Sequence, residues 1–175
     1  YDLDGFLNAV ELYSTRASGP DLQFVFVGAA GELAALAARR NLPTELLVFA
    51  QQVPHAAIAE IQSAADVLMF LGYLADDNQG QVSIKLFEYF RRHRPILPIH
   101  IREGSDVDQL IRDYCGTNLN LLSKEDVAET LCKIAGGDIS RLPCTTNSDT
   151  VDARFLLAYS TEAEKIIRLL GPDHD

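Results

Sequence analysis

Lys85 and Glu88 are the residues in this sequence whose types and spacing best fit a chemical role. They follow a polar loop and lie in the first turns of a helix that is predicted to open near Ser83. Side chains three positions apart share one face of a helix, so both would point in the same direction. A carboxylate accepts hydrogen bonds from sugar hydroxyls, and an ammonium group neutralises phosphate. The pair therefore suits a nucleotide ligand.

The same helix start offers backbone donors for a phosphate. The amides of Val82, Ser83 and Ile84 are predicted to lack acceptors within the helix, and such amides bind anions at the positive end of the helix dipole. In this interpretation Glu88 has no strong partner inside the protein. The alternative is that Lys85 and Glu88 form an ion pair on a solvated helix face, which would contribute only ~0.3–0.5 kcal/mol to stability.

The elements that must position these residues alternate between helix and strand. Apolar spacing predicts helices over residues 4–16, 31–40, 54–65, 83–94, 107–114, 123–134 and 151–170, and strands over residues 22–27, 45–50, 66–71, 95–101 and 118–122. Capping boxes are predicted at Ser123 with Asp126 and at Thr161 with Glu164. The alternation predicts an α/β fold, a Rossmann-like doubly wound parallel sheet with helices on both faces. Ligands bind such a sheet at the carboxyl ends of its strands.

Size and composition predict one domain that spans residues 1–175. The chain has 47% hydrophobic residues, enough for a single core. A net charge of −10 argues against binding to nucleic acid or to an anionic membrane. The longest apolar run, residues 64–75, is interrupted by Asp66 and Gly72 and is too short for a membrane span. We therefore expect a cytoplasmic domain without a direct span.

The sequence predicts neither a metal site nor a cofactor. The chain has three cysteines, Cys115, Cys132 and Cys144. Their number and spacing match no metal or redox motif and fit a reducing compartment. The four histidines, which share no ligand spacing and are predicted to be surface or packing residues, are His55, His93, His100 and His174. Gly28 and Gly31 follow a strand but lack the spacing of the dinucleotide fingerprint.

Several segments taken together resemble one known family. Residues 61–68, then Gly80-Gln-Val-Ser-Ile-Lys-Leu-Phe-Glu-Tyr89, then residues 94–97 are similar to the carboxyl-terminal, donor-binding half of the group 1 glycosyltransferases, the retaining GT-B class. Residues 22–28 resemble the family's strand that ends in glycine, and residues 47–54 resemble its strand and loop at the nucleotide base. The resemblance covers about residues 3–135.

The resemblance implies a nucleotide-sugar site and assigns roles within it. The implied site residues are Gly28, Gln52, Val53, Gly80, Val82, Ser83, Ile84, Lys85 and Glu88. Glu88 would hold the ribose hydroxyls, because a carboxylate accepts two hydrogen bonds from a cis diol. Residues 82–84 would meet the diphosphate with Lys85 as an added positive charge, and residues 51–53 would meet the base. No metal is implied, and no catalytic residue is assigned.

The chain departs from the family pattern in three respects. Gly80 stands where the family has the carboxylate assigned to the donor sugar, and Asp76 and Asp77 lie nearby but out of register. The family's basic pair at the diphosphate has no match, because no Lys or Arg precedes Arg16. No acceptor-binding half is recognisable in these residues. We therefore expect a fragment that lacks its amino-terminal domain and does not transfer sugar by itself.

Three functions remain open. The first is the donor-binding domain of a retaining glycosyltransferase. The second, favoured by Gly80, is a non-catalytic Rossmann-like binding or interaction module. The third is half of a sugar-nucleotide epimerase of similar architecture. The expected partners are a nucleotide-sugar donor and the missing acceptor-binding domain, which could also provide membrane association. We also expect self-association through an apolar patch on the first or last helix.

The first prediction concerns the isolated chain. It should bind a nucleoside diphosphate with only millimolar to high micromolar affinity, because half of the binding cleft is missing. Isothermal titration calorimetry with a panel of nucleoside diphosphates and their sugars at millimolar concentration measures this directly. A complete lack of binding heat across the panel would contradict the prediction.

Overall fold

The computed structural model describes residues 2–16, 22–28, 30–72, 82–119 and 121–145. Helices and strands alternate through these ranges. The helices are α1 (Leu3–Arg16), α2 (Gly31–Arg39), α3 (His55–Ala64), α4 (Ile84–Arg92), α5 (Asp106–Cys115) and α6 (Lys124–Ala135). The strands are β1 (Phe24–Val27), β2 (Leu47–Ala50), β3 (Leu68–Leu71) and β4 (Ile96–Ile99). The first six predicted helices and first four predicted strands are thereby confirmed, with small shifts at their ends.

The predicted strand at residues 118–122 is wrong. Its described residues form no strand, and the segment is joined to the end of β4 by a bond from the His100 amide to the Leu121 carbonyl, 2.9 Å long. At the other end of β4, the Ile96 amide donates to the Pro143 carbonyl at 2.8 Å. Pro98 lies between these two donors and has no N–H of its own, which suits a strand edge bordered by loops. The predicted helix at residues 151–170, with its capping box, lies outside the described residues.

The four strands form two parallel pairs. β1 pairs with β2 from Phe24 opposite Leu47 to Val27 opposite Ala50. β3 pairs with β4 in the same sense over four positions. Within the described residues the two pairs are separate two-stranded sheets. The predictions of an α/β fold and of parallel strands are confirmed, since each strand is followed by a helix before its parallel partner.

One face of α1 lies at the centre of the larger apolar core. Phe6, Val10 and Tyr13 are at most 1% exposed, and the Phe6 ring packs edge-on against Phe24 and Phe26 of β1 with centroids 5.4 and 6.0 Å away. The same core includes residues of β4 and α6. The first helix therefore exposes no apolar patch, because its apolar side chains are covered by the strands and by α6; the last helix, the other expected place for such a patch, lies outside the described residues.

A second core covers the other face of the β3–β4 pair. Leu86 and Phe90 of α4 pack with Phe70 of β3 and with Ile111 of α5. The Phe90 ring stacks on Tyr114 of α5 with centroids 4.5 Å apart and planes 7° from parallel. This packing fixes α4 to the strands, so it determines which way the predicted site residues on that helix point. No helix in the described ranges is both long and apolar enough to cross a membrane.

Asp108 is a buried carboxylate with three hydrogen-bond donors. Its side chain accepts from Asn118 at 2.7 Å, from the Gly104 amide at 2.9 Å and from Arg112 at 3.0 Å. Burial alone would raise the pKa of Asp108, but the bonds from Asn118, Gly104 and Arg112 outweigh it, so the pKa lies below its ordinary value. The carboxylate thus ties the start of α5 to the segment that follows the helix.

Asp108→Asn should lower the free energy of unfolding by ~1–3 kcal/mol, because an amide cannot satisfy donors that face a buried carboxylate. The folded-state pKa is lower than the unfolded value of ~3.9, so the stabilisation is present above that value and is lost as the pH falls through the folded pKa. Urea titrations should therefore show a gap between wild type and variant that is constant from about pH 7 to 5 and narrows below about pH 4.

Asp113→Asn, which changes an exposed carboxylate on the same helix, is the matched control and should alter stability by less than ~0.5 kcal/mol. Equal urea midpoints for wild type and Asp108→Asn at neutral pH would contradict the structural role of Asp108.

Candidate functional site

The carboxyl ends of β1 and β2 bring together two of the predicted site segments. Gly28 directly follows β1, and its amide donates to the Ala50 carbonyl at 3.2 Å, so it lies beside the start of residues 51–53. Its φ of +105° is a conformation that glycine adopts without strain. Gln52 is exposed and Val53 is half-buried. Gly28 and the exposed Gln52 thus lie at the same edge of the β1–β2 pair.

Glu88 has two partners within the protein. Its Oε1 atom lies 3.2 Å from Nε2 of His55, and its Oε2 atom accepts from the Gln62 amide at 3.3 Å. The expectation that Glu88 has no strong internal partner is therefore wrong. The physical reason is that α3 packs beside α4 and presents polar side chains to the same face. Lys85 is exposed and forms no ion pair with Glu88, so the alternative of a surface pair between these two residues is also wrong.

Glu88 belongs to a row of hydrogen-bonded polar side chains between α3 and α4. Gln62 accepts from Nε of Arg92 at 3.2 Å, and Arg94 donates to the Ser63 carbonyl at 2.5 Å. The Glu88 side chain is 22% exposed, whereas that of His55 is 85% exposed. One end of the row is thus anchored between helices and the other end is open to solvent.

The start of α4 is partly capped. Ser83 is the N-cap residue, and its hydroxyl accepts from the Lys85 amide at 3.4 Å, which is a long hydrogen bond. The Lys85 amide is not one of the three amides, those of residues 82–84, that are expected to bind phosphate, so this cap leaves that expectation as a prediction. Val82 and Ser83 are half-buried, and Ile84 is 48% exposed. Gly80, together with Asp76 and Asp77, lies outside the described residues.

His55 joins the segment that follows β2 to Glu88 on α4. Residues 51–53 and Pro54 lead directly into His55, the first residue of α3, and His55 contacts Glu88 on α4. Sequence reasoning treated His55 as a surface or packing residue, and its exposure agrees with that. Its contact with Glu88 was missed. The available signal was its position immediately after a strand, a loop and a proline, at the edge where ligands bind parallel sheets.

The described ranges give little support for a metal site or for thiol chemistry. No group of three or more His, Cys, Asp or Glu side chains there could hold a metal ion. Burial, with a smaller contribution from Cys144, raises the pKa of Cys115 to about 12, so its thiol is protonated and unreactive at neutral pH. A surface cavity of about 250 Å³ has no lining residue on α3 or α4; it is lined by residues of α6 and by Leu119, Leu121, Asp138, Arg141 and Leu142.

No family model, curated protein or solved structure matches this chain.

Glu88→Gln should lower the free energy of unfolding by ~0.5–1.5 kcal/mol in the absence of ligand, because the amide retains only part of the hydrogen bonding to His55 and Gln62. Glu60→Gln, which changes an exposed carboxylate on α3, is the control and should stay within ~0.5 kcal/mol of wild type. Chemical denaturation followed by circular dichroism measures both. If the two variants were equally stable, the row between α3 and α4 would not depend on Glu88.

Proposed function

We propose that this chain is a donor-binding domain that holds a nucleoside-diphosphate sugar for a retaining glycosyltransferase. In this proposal the chain is the carboxyl-terminal, Rossmann-like half of a GT-B enzyme, and a separate amino-terminal half binds the acceptor. The isolated chain binds the donor and does not transfer sugar. The assignment joins the family resemblance to the arrangement of parallel strands and of the residues at their carboxyl ends.

The observation that carries the proposal is the contact between Glu88 and His55. It is consistent with a carboxylate beside the turn that follows β2, where the resemblance expects the base and ribose to meet. A carboxylate has about four lone-pair positions, and His55 and Gln62 occupy two of them. The remaining capacity suits the two hydroxyls of a ribose. His55 is exposed, so moving its side chain aside costs little.

The start of α4 supports the phosphate end of the proposed site. The first amides of α4 follow its N-cap residue Ser83 and lie at the positive end of the helix. Lys85 is exposed and unpaired within the described residues. Positive groups fixed beside a departing diphosphate stabilise the charge that develops as the sugar leaves. Without a metal, residues 82–84 and Lys85 supply this stabilisation together with groups from the acceptor-binding half.

A non-catalytic binding or interaction module is the second candidate, and two observations favour it. Both carboxylate oxygens of Glu88 already have protein partners, so the residue also has a structural role. Gly80 provides no side chain for the sugar. The two candidates differ in one measurable property, because only the donor-binding domain requires a nucleotide with a ribose diol.

Glu88→Gln should weaken the binding of a ribonucleoside diphosphate roughly tenfold or more, because it weakens two charge-assisted hydrogen bonds to the cis diol. The corresponding 2′,3′-dideoxynucleotide lacks the diol, so its weaker binding should change much less. Calorimetric titrations of both proteins with both ligands give the four affinities needed.

Glu60→Gln serves again as the control and should leave all affinities unchanged. Because Glu88→Gln also affects stability, the titrations are made at a temperature at which circular dichroism shows both proteins fully folded. Equal affinity of wild type and Glu88→Gln for the ribonucleotide would remove Glu88 from the binding site and leave the interaction module as the better assignment.

A further inference from the structure

His100 and Asp2 form a partly buried pair that the proposed site does not use. His100 directly follows β4, and Asp2 precedes α1. Nδ1 of His100 lies 3.1 Å from Oδ2 of Asp2, and their side chains are 13% and 22% exposed. The other Asp2 oxygen accepts from the Gly5 amide at 2.8 Å and so caps α1. The carboxylate is thereby fixed at the start of the helix and lies beside one edge of the imidazole.

The backbone around His100 is shaped to bring the imidazole to this place. His100 has a φ of +55°, in the left-handed region that non-glycine residues seldom adopt. Gly5 leaves room for the ring, since a Cβ there would lie 2.7 Å from Cε1 of His100. Gly72, at the end of β3, packs against the His100 carbonyl oxygen so closely that no Cβ would fit. Such a local constraint at the carboxyl ends of parallel strands is typical of a functional position.

The two nitrogens of the imidazole have different surroundings. Nδ1 is fully buried and lies close to Oδ2 of Asp2 without a well-aligned hydrogen bond. Nε2 makes no hydrogen bond within the described residues and is not fully buried. A carboxylate beside Nδ1 favours the tautomer in which Nδ1 carries the proton. Nε2 then presents a lone pair at the edge of the strands.

We propose that Nε2 of His100 accepts a hydrogen bond from a hydroxyl group of the donor sugar, and that Asp2 orients the imidazole for this contact. The inference rests on the proposed function and adds a sugar-contacting residue to it. Gly80 offers no acceptor to the sugar. A neutral imidazole is a hydrogen-bond acceptor that can supply this contact.

His100→Asn tests this contact with little change to the backbone. Asn adopts the left-handed conformation readily and keeps a polar group near Asp2, but it has no counterpart of Nε2. We expect a loss of about three- to tenfold in affinity for a nucleotide sugar, the effect of one hydrogen bond, and less than about twofold for the matching nucleoside diphosphate. The ligands are UDP, GDP and ADP with their glucose conjugates, measured by calorimetry.

His93→Asn is the matched control. His93 is also left-handed, with a φ of +50°, but it lies at the end of α4 that precedes β4. Its replacement should leave both affinities unchanged. Asp2→Asn, which retains the helix cap, should reproduce the selective loss in a weaker form. A wild-type measurement that needs no variant is NMR of the His100 ring protons, which should shift with the nucleotide sugar more than with the diphosphate.

The outcomes separate this inference from the function on which it rests. A selective loss of sugar-nucleotide affinity in His100→Asn, with a ring-proton shift in wild type, supports the contact. Equal losses for both ligands, or none, with an unmoved His100 resonance, would overturn it while nucleotide binding through Glu88 stands. Failure of every nucleotide to bind wild type would overturn both proposals together.

Discussion

The burial of one face of α1 is the interaction on which the rest of the structure depends. Within the described residues no backbone hydrogen bond joins the two strand pairs, so apolar packing must hold them side by side. Phe6 contacts β1 through Phe24 and Phe26, and the same core extends to β4 and α6. Each fully buried side chain of this kind contributes ~1.5–3 kcal/mol. The carboxyl ends of the strands keep their positions because α1 fixes both pairs.

Polar contacts at these ends join elements of the fold and, in the proposed function, also contact the ligand. Glu88 joins α3 to α4 through His55 and Gln62, yet one end of this row remains open to solvent. Asp2 caps α1 and also faces His100. A side chain that is already held by the fold loses less conformational entropy when a ligand arrives, which favours binding. The same substitution can therefore disturb both stability and affinity. Each of these two properties needs a control variant in which the other does not change.

Where local signals were strong, the sequence predicted the helices and strands correctly. The prediction failed where contacts between distant residues decided the structure. Residues 118–122 have an apolar strand-like pattern, but their described residues form no strand and are joined to β4 by a bond from the His100 amide to the Leu121 carbonyl. The role of Asp108 was missed, although Ser105 three residues earlier gives a capping-box pattern. Its other donors, Asn118 and Arg112, belong to a network that no local pattern specifies.

By itself the sequence determined the order of helices and strands, because apolar periodicity and turn residues act over a few positions. It also determined that Gly28 and Ser83 lie at a strand end and a helix start. Only the tertiary structure decided that Glu88 meets His55 rather than Lys85, and that His100 meets Asp2. These pairs are separated by 33 and 98 positions in the chain. The packing of helices against strands sets the distances between these side chains. Spacing along the chain carries no information about that packing.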